Sequence, residues 1–68
     1  MMMIDSVAVQ AAMLRLGVGV TELAKIAEIP PKTISAIHRR DKPVFLKTLA
    51  RLAKALNVSP MELVKEVA

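Results

Sequence analysis

Basic side chains gather in one short part of the chain, where they could bind a polyanion. Within residues 32–47, Asp41 is the only acid, and the lysines and arginines are Lys32, Arg39, Arg40, Lys42 and Lys47. Side chains of this kind form charge-assisted hydrogen bonds with phosphate oxygens. The net charge of +4 and the isoelectric point near 10.0 agree with a polyanionic partner. The alternative for this basic cluster is a solvated face with no ligand.

Two short helices joined by a tight turn are predicted to position the cluster, over about Val20 to Arg39. Apolar residues fall where two such helices must touch: Leu23, Ala24, Ala27, Ile29, Ile34 and Ile37. The small side chain of Ala24 lets the helices cross closely, and Ile34 and Ile37 fill the angle between them. This pattern is typical of a helix-turn-helix, whose second helix enters the major groove of DNA.

The outer face of the second helix is predicted to be small in the middle and cationic at its ends. At about 100° per residue, Lys32 and Arg39 point away from the two isoleucines. Ser35 and Ala36 lie beside them. Small side chains let a helix enter the groove, where Ala36 or Thr33 could meet a thymine methyl group and Lys32 could reach guanine or a phosphate. The alternative is a plain solvent face.

The whole chain is expected to form one all-α domain, residues 1–68, with five helices, no strands and the helix-turn-helix at helices two and three. Helix one, capped by Asp5 or Ser6, runs to about Leu16 before Gly17. Its predicted apolar side is Val7, Ala11, Leu14 and Met13. Helix two spans about Val20 to Ala27 behind a Gly19 cap, and Pro30 and Pro31 begin helix three.

The last two helices are predicted from one apolar stripe and one capping motif. Helix four spans about Phe45 to Leu56, and its predicted buried stripe is Leu46, Leu49, Leu52, Ala53 and Leu56. Asn57 is expected to close it in a left-handed conformation. Ser59 and Glu62 have the spacing of a capping box, which begins a short fifth helix.

Composition disfavours several classes of function. The chain has one histidine and no cysteine, and no pair of carboxylates has the spacing of a catalytic site. His38 is interpreted as a surface residue near a helix end. Neither a membrane span nor a secretory signal is predicted. We therefore expect no enzyme activity, cofactor or metal, and a cytoplasmic, nucleoid-associated protein.

From about Gly17 to Val64 the chain resembles the Cro/C1-type, lambda-repressor-like helix-turn-helix family. Leu23-Ala24 matches the paired Leu-Ala of the family's second helix, and Ile29 matches its apolar turn residue. Further matches are Ile34-Ser35, Ile37, Leu49, Leu52-Ala53, Leu56, Val58-Ser59-Pro60 and Leu63. The resemblance implies a compact five-helix domain that binds double-stranded DNA.

The resemblance also implies which residues meet the DNA. The base-contacting candidates are Pro31, Lys32 and Ala36, with Thr33 and Ser35 nearby. The phosphate candidates are Arg39 and Arg40, the amides at Val20 and Thr21, and Lys42 and Lys47 from the basic cluster. Glu28 replaces the glycine common in the family's turn, so it must tolerate a left-handed backbone.

Two hypotheses for function remain open. The first is a sequence-specific transcriptional regulator, a small Cro-like or phage-type repressor that binds a palindromic operator as a homodimer. At 68 residues, no room is expected for an effector-binding domain. Its candidate interface residues are Leu63, Val64 and Val67, each of which could equally be core. The second is a protein-binding module, such as the antitoxin of a toxin–antitoxin pair.

Overall fold

The computed structural model describes residues 2–65, which form four α-helices, one 3₁₀ helix and a two-stranded sheet. The elements follow in the order β1 (Met2–Ile4), α1 (Ser6–Leu16), α2 (Val20–Ala27), α3 (Pro31–Arg39), β2 (Lys42–Val44), α4 (Leu46–Leu56) and the 3₁₀ helix (Pro60–Leu63). The predicted bounds of α2 and α3 are confirmed. Within these residues no single helix is long and apolar enough to cross a membrane, and α1 and α2 reach that length only as a pair bent by 93°.

The ends of the helices follow from local capping chemistry. The Asp5 carboxylate accepts hydrogen bonds from the amides of Val7 and Ala8, at 3.0 and 3.3 Å, and so caps α1. Gly17 ends α1 with φ at 69°, in the left-handed region where glycine has no steric cost. Glu62 accepts from the Ser59 amide at 2.8 Å, as predicted from the capping spacing.

The core is aliphatic and takes side chains from every helix. Its largest fully buried members are Ile4, Val9, Leu23, Ile34, Ile37, Leu49, Leu52, Leu56 and Leu63. Burial of one such side chain contributes about 1.5–3 kcal/mol before the loss of conformational entropy is counted. All six apolar residues predicted to join α2 to α3 are buried, which confirms the packing of the helix-turn-helix.

The predicted buried face of α1 is wrong except at Met13. Val7 and Leu14 are 68% and 82% exposed, and Ala11 is exposed as well. The helix instead buries Ser6, Val9, Ala12 and Met13. Its sequence is apolar nearly all round, so the pattern of apolar residues does not select the face that meets the core.

The prediction of five helices and no strands is also wrong. β1 pairs with β2 in antiparallel register, with Met3 opposite Pro43, and Ile4 makes a further antiparallel bridge with Val64. Three-residue strands are too short for the alternation that marks a strand in a sequence. The predicted fifth helix is a single 3₁₀ segment, because the chain beyond Leu63 turns back to β1.

Three smaller expectations change at the C-terminal half. Leu46, predicted in the buried stripe of α4, is 67% exposed, since Phe45 is the cap and Leu46 begins the helix on its outer side. Leu63, a candidate interface residue, is 1% exposed and therefore belongs to the core. Val64 is half-buried in its bridge with Ile4. Val67 lies outside the described residues.

Candidate nucleic-acid interface

The turn between α2 and α3 sets the angle at which α3 is presented. Glu28 adopts φ 57° and ψ 45°, as expected for a residue at a position that favours glycine. The amide of Ile29 donates to the Ala24 carbonyl at 3.1 Å, and the Ile29 side chain is buried. Arg51 on α4 donates from Nη1 to the Glu28 carbonyl at 3.4 Å. The turn is therefore held from inside by Ile29 and from outside by α4.

The buried side of α3 fixes which of its residues face outward. Ile34 and Ile37 are fully buried, whereas Pro31, Lys32 and Arg39 are exposed. Half-buried residues lie between these two sides: Thr33, Ser35, Ala36 and His38. Of the five base-contacting candidates, Pro31 and Lys32 are therefore exposed, and Thr33, Ser35 and Ala36 lie along the flanks of a helix whose inner side is fixed in the core.

Both ends of α3 are anchored by hydrogen bonds. At its start, the amides of Thr33 and Ile34 both donate to the Pro30 carbonyl, at 3.0 and 3.2 Å. At its end, the side-chain amide of Gln10 on α1 donates to the His38 carbonyl at 2.7 Å. The Gln10 contact satisfies one of the carbonyls that a helix end leaves without an internal partner.

A cationic groove runs between the end of α3 and the chain that continues through Arg40 and Asp41 into β2. It encloses about 600 Å³ and is lined by Ala36, Arg39, Arg40, Asp41, Lys42 and Pro43. Arg40 leaves the helix with extended backbone, at φ −157° and ψ 160°, and so carries Lys42 away from the axis of α3. Three phosphate candidates, Arg39, Arg40 and Lys42, therefore line one open groove, and the base-contacting candidate Ala36 lines it as well.

Asp41, the only acid in the basic cluster, is occupied by contacts within the protein. Its Oδ1 accepts from the amide and hydroxyl of Ser6, at 3.0 and 3.1 Å, and its Oδ2 accepts from Lys65 Nζ at 2.5 Å. The hydrogen bond with Lys65, followed by that with the Ser6 amide, lowers the pKa of Asp41 from 3.8 to about 2. The same contact raises the pKa of Lys65 above 10.5.

These contacts decide the charge of the groove. Because Lys65 and the first amide of α1 balance the Asp41 carboxylate, Arg39, Arg40 and Lys42 keep their charge available for an external anion. The sequence did not indicate the partners of Asp41, since it lies 35 positions from Ser6 and 24 from Lys65. The one available signal was a single acid among several cations.

The start of α2 offers a further set of backbone donors. Gly19 caps this helix, and no side chain within residues 2–65 hydrogen-bonds to the cap. Val20 is half-buried and Thr21 is exposed. The first amides of a helix have no internal partner and carry its positive dipole end, so an anion can bind there. Lys47, by contrast, is exposed on α4 and does not line the groove.

Comparisons with known proteins agree with the helix-turn-helix. A family model for the Cro/C1-type HTH DNA-binding domain matches residues 9–68. No curated protein matches the chain significantly. A mutant of hydroxyethylphosphonate dioxygenase matches 98% of the chain with a TM-score of 0.86 and 21% identity. A Streptomyces albus HEPD structure with 2-hydroxyethylphosphonate and Fe(II) bound matches 93%, with a TM-score of 0.81 and 28% identity. The chain spans 14% of each of those proteins, so the likeness concerns the fold of this segment.

Proposed function

The chain belongs to the Cro/C1-type helix-turn-helix DNA-binding family, and we propose that it is a sequence-specific transcriptional repressor. The observation that carries the proposal is the cationic groove beside the exposed face of α3. A helix that presents base-contacting side chains needs phosphate contacts on the flanking backbone to hold its register. In this chain the exposed face of α3 supplies the base contacts, and the cationic groove beside it supplies the phosphate contacts.

The proposed docking follows from the positions of these groups. α3 enters the major groove with Pro31, Lys32, Thr33, Ser35 and Ala36 toward the base edges. Arg39, Arg40 and Lys42 contact phosphates of the adjacent strand, and the amides at Val20 and Thr21 contact the backbone on the other side of the groove. Lys47 supports this binding through long-range attraction. No residue is assigned a catalytic role, and the expected location is the cytoplasm, at the nucleoid.

A two-fold arrangement on a palindromic operator is part of the proposal. One recognition helix contacts only a few base pairs, which is too little to mark a unique site. Two copies related by a two-fold axis double the contacted sequence, with half-sites one helical turn apart. Val64 stays a candidate for the interface between copies, whereas Leu63 is assigned to the core.

A second candidate function rests on the apolar surface of α1. Val7 and Leu14 are 68% and 82% exposed and, together with Ala11, lie at helical spacing on one side of the helix. Exposed apolar residues grouped on one face favour a protein partner. The antitoxin hypothesis therefore stays open as the alternative: a protein that binds a toxin and can also bind DNA.

Selection of bound sites from random duplex DNA tests the proposal. We expect a palindrome to be enriched, with half-sites spaced by about one helical turn. The matched control is the Lys32→Ala, Ala36→Asp double variant, which keeps the core residues and changes only the outer face of α3. Enrichment by the parent but not by the variant supports a base-specific regulator. If the folded parent enriches no sequence, the repressor proposal is wrong, and co-purification with the product of a neighbouring gene would favour the antitoxin.

A further inference from the structure

We propose that α3 selects its DNA mainly through thymine 5-methyl groups, met by Thr33 and Ala36, with one guanine contact from Lys32. This inference rests on the proposed function and specifies the sequence class that the site accepts. It follows from the methyl groups that α3 carries and from the side-chain amides and carboxylates that this helix lacks.

The side chains of α3 lack most of the groups that distinguish bases by hydrogen bonding. Adenine is recognised by a side-chain amide and cytosine by a carboxylate. Residues 31–39, all of which the structure describes, contain neither group. The hydroxyls of Thr33 and Ser35 can donate or accept and therefore accept any base. Lys32 is the cation at the start of the exposed face, and guanine offers it two acceptors.

The backbone at the start of α3 adds little further discrimination. Pro31 has no amide hydrogen, and the amides of Thr33 and Ile34 are engaged by the Pro30 carbonyl at 3.0 and 3.2 Å. Of the first four residues of α3, Lys32 alone keeps a free amide for an acceptor. The hydrogen-bond pattern of most base pairs is therefore not recognised by this helix.

Methyl contact is the remaining means of discrimination, and two residues on one side of α3 can provide it. Thr33 and Ala36 are three positions apart, so their β-carbons are neighbours on the helix surface, about 5–6 Å apart. Alanine has no rotamer freedom to lose, and Thr33 is already half-buried, so covering them with DNA costs little side-chain entropy. The major-groove edge of thymine carries a methyl group at C5, which apolar side chains contact.

The cationic groove fixes which bases these two residues meet. Ala36 lines that groove together with Arg39, Arg40 and Lys42. A phosphate held in the groove therefore places the nearest base edges of the same strand against Ala36, and Thr33 meets the neighbouring base because it lies three positions before Ala36 on α3. The phosphate contacts position the methyl contacts, and the two side chains need no hydrogen bond to the base.

The test uses an operator obtained by selection, in which each thymine is replaced singly by deoxyuridine. Uracil lacks only the 5-methyl group, so it preserves base pairing and all hydrogen-bonding groups. Loss of one buried methyl contact is expected to weaken binding about 4-fold. We expect this loss at the thymines facing α3, and no change at thymines outside the footprint. Replacement of such a thymine by 5-methylcytosine should retain more affinity than replacement by cytosine.

Matched protein variants assign each methyl contact to its residue. Thr33→Ser removes the γ-methyl and keeps the hydroxyl, and Ala36→Gly removes the β-carbon. Each variant should become insensitive to uracil at one thymine per half-site and keep its sensitivity at the other. Because glycine weakens a helix, circular dichroism confirms that the Ala36→Gly protein is folded under the binding conditions, and Thr33→Ser provides the test that carries no such cost.

The outcomes separate this inference from the function on which it rests. If a palindrome is enriched and uracil binds as well as thymine at every position, methyl recognition is wrong while the regulator proposal stands. If uracil sensitivity is present but unchanged in both variants, the assignment to Thr33 and Ala36 is wrong. If no sequence is enriched, the proposed function itself fails.

Discussion

Asp41 connects three segments that are far apart in the chain. Its carboxylate lies just before β2 and accepts hydrogen bonds from Ser6 at the start of α1 and from Lys65. Because these contacts balance its charge, Asp41 does not neutralise the cations of the groove. An unbalanced acid at this position would repel phosphate, so its partners contribute to binding as well as to folding. The residue thus stabilises the fold and sets the charge of the groove.

The lowered pKa of Asp41 predicts how acid affects stability. A carboxyl whose pKa is lower in the folded state stabilises the fold above its unfolded pKa, and the contribution is lost as the pH falls through the folded value. The window here runs from pH 3.8 down to about 2. We expect Asp41→Asn to be less stable than the parent at pH 7, with a difference that shrinks across this window. Urea unfolding followed by circular dichroism at pH 7, 4 and 2 measures it.

Lys65→Met is the matched control, because the hydrogen bond with Lys65 is the largest cause of the lowered pKa. Its stability should fall less steeply than that of the parent over the same window. If the parent and Asp41→Asn lose stability in parallel between pH 4 and pH 2, the contacts of Asp41 contribute nothing to folding.

Lys32 and Arg40 are expected to affect DNA binding in different ways. Lys32→Ala should weaken binding to the selected operator by about 1–3 kcal/mol and relax the preference at one base pair. Arg40→Ala should weaken binding to all sequences alike and reduce the slope of log K against log salt by about 1. Gel-shift titrations of operator and random duplexes at several salt concentrations measure both. Equal salt slopes for Arg40→Ala and the parent would remove Arg40 from the phosphate contacts.

The α2–α3 turn carries backbone strain that a single substitution can release. Glu28 and Asn57 both adopt φ 57°, but asparagine tolerates the left-handed region better than glutamate does. Glu28→Gly should therefore raise the free energy of unfolding by about 1 kcal/mol, whereas Asn57→Gly should change it less. Thermal and urea denaturation of the two variants give the comparison. A loss of stability in Glu28→Gly would mean that the glutamate side chain makes a compensating contact.

The elements that sequence predicted best are those with one apolar side. α2, α3 and most of α4 have polar residues opposite their apolar stripes, so spacing alone identified the buried residues. α1 has no such contrast, and its buried face was set by what packs against it, including the end of α3, where the His38 carbonyl accepts from Gln10 of α1. The sheet was not predicted because its strands are three residues long and the paired residues lie 38 to 42 positions apart.

The candidate site shows the same division. The outward residues of α3 followed from the positions of Ile34 and Ile37, since a rigid helix has one outer side once its inner side is known. The groove could not be predicted in this way, because its second wall is an extended segment that the contacts of Asp41 hold in position. Long-range contacts between polar groups leave no periodic mark in a sequence, so the charge balance of the groove required the structure.

At the scale of the whole molecule, a small aliphatic core holds all the elements together. The 3₁₀ helix contributes Leu63 to that core, and the Asp5 amide donates to the Leu63 carbonyl at 2.8 Å. The two ends of the described chain thereby pack against each other beside α4. A domain of this size has little stability to spare, so this closure affects the presentation of α3 as well.

Substitution of Leu63 tests whether this residue stabilises the core of one chain or an interface between two copies, and substitution of the exposed Leu14 is the control. Leu63→Ala should lower the free energy of unfolding by about 2–5 kcal/mol, because it leaves a cavity beside α4. Leu14→Ala, at a position 82% exposed, should change it by less than about 0.5 kcal/mol. Because a core residue acts within one chain, the loss caused by Leu63→Ala should be the same at all protein concentrations. A loss that disappears on dilution would instead assign Leu63 to an interface, since stability gained by association depends on the concentration of the chain.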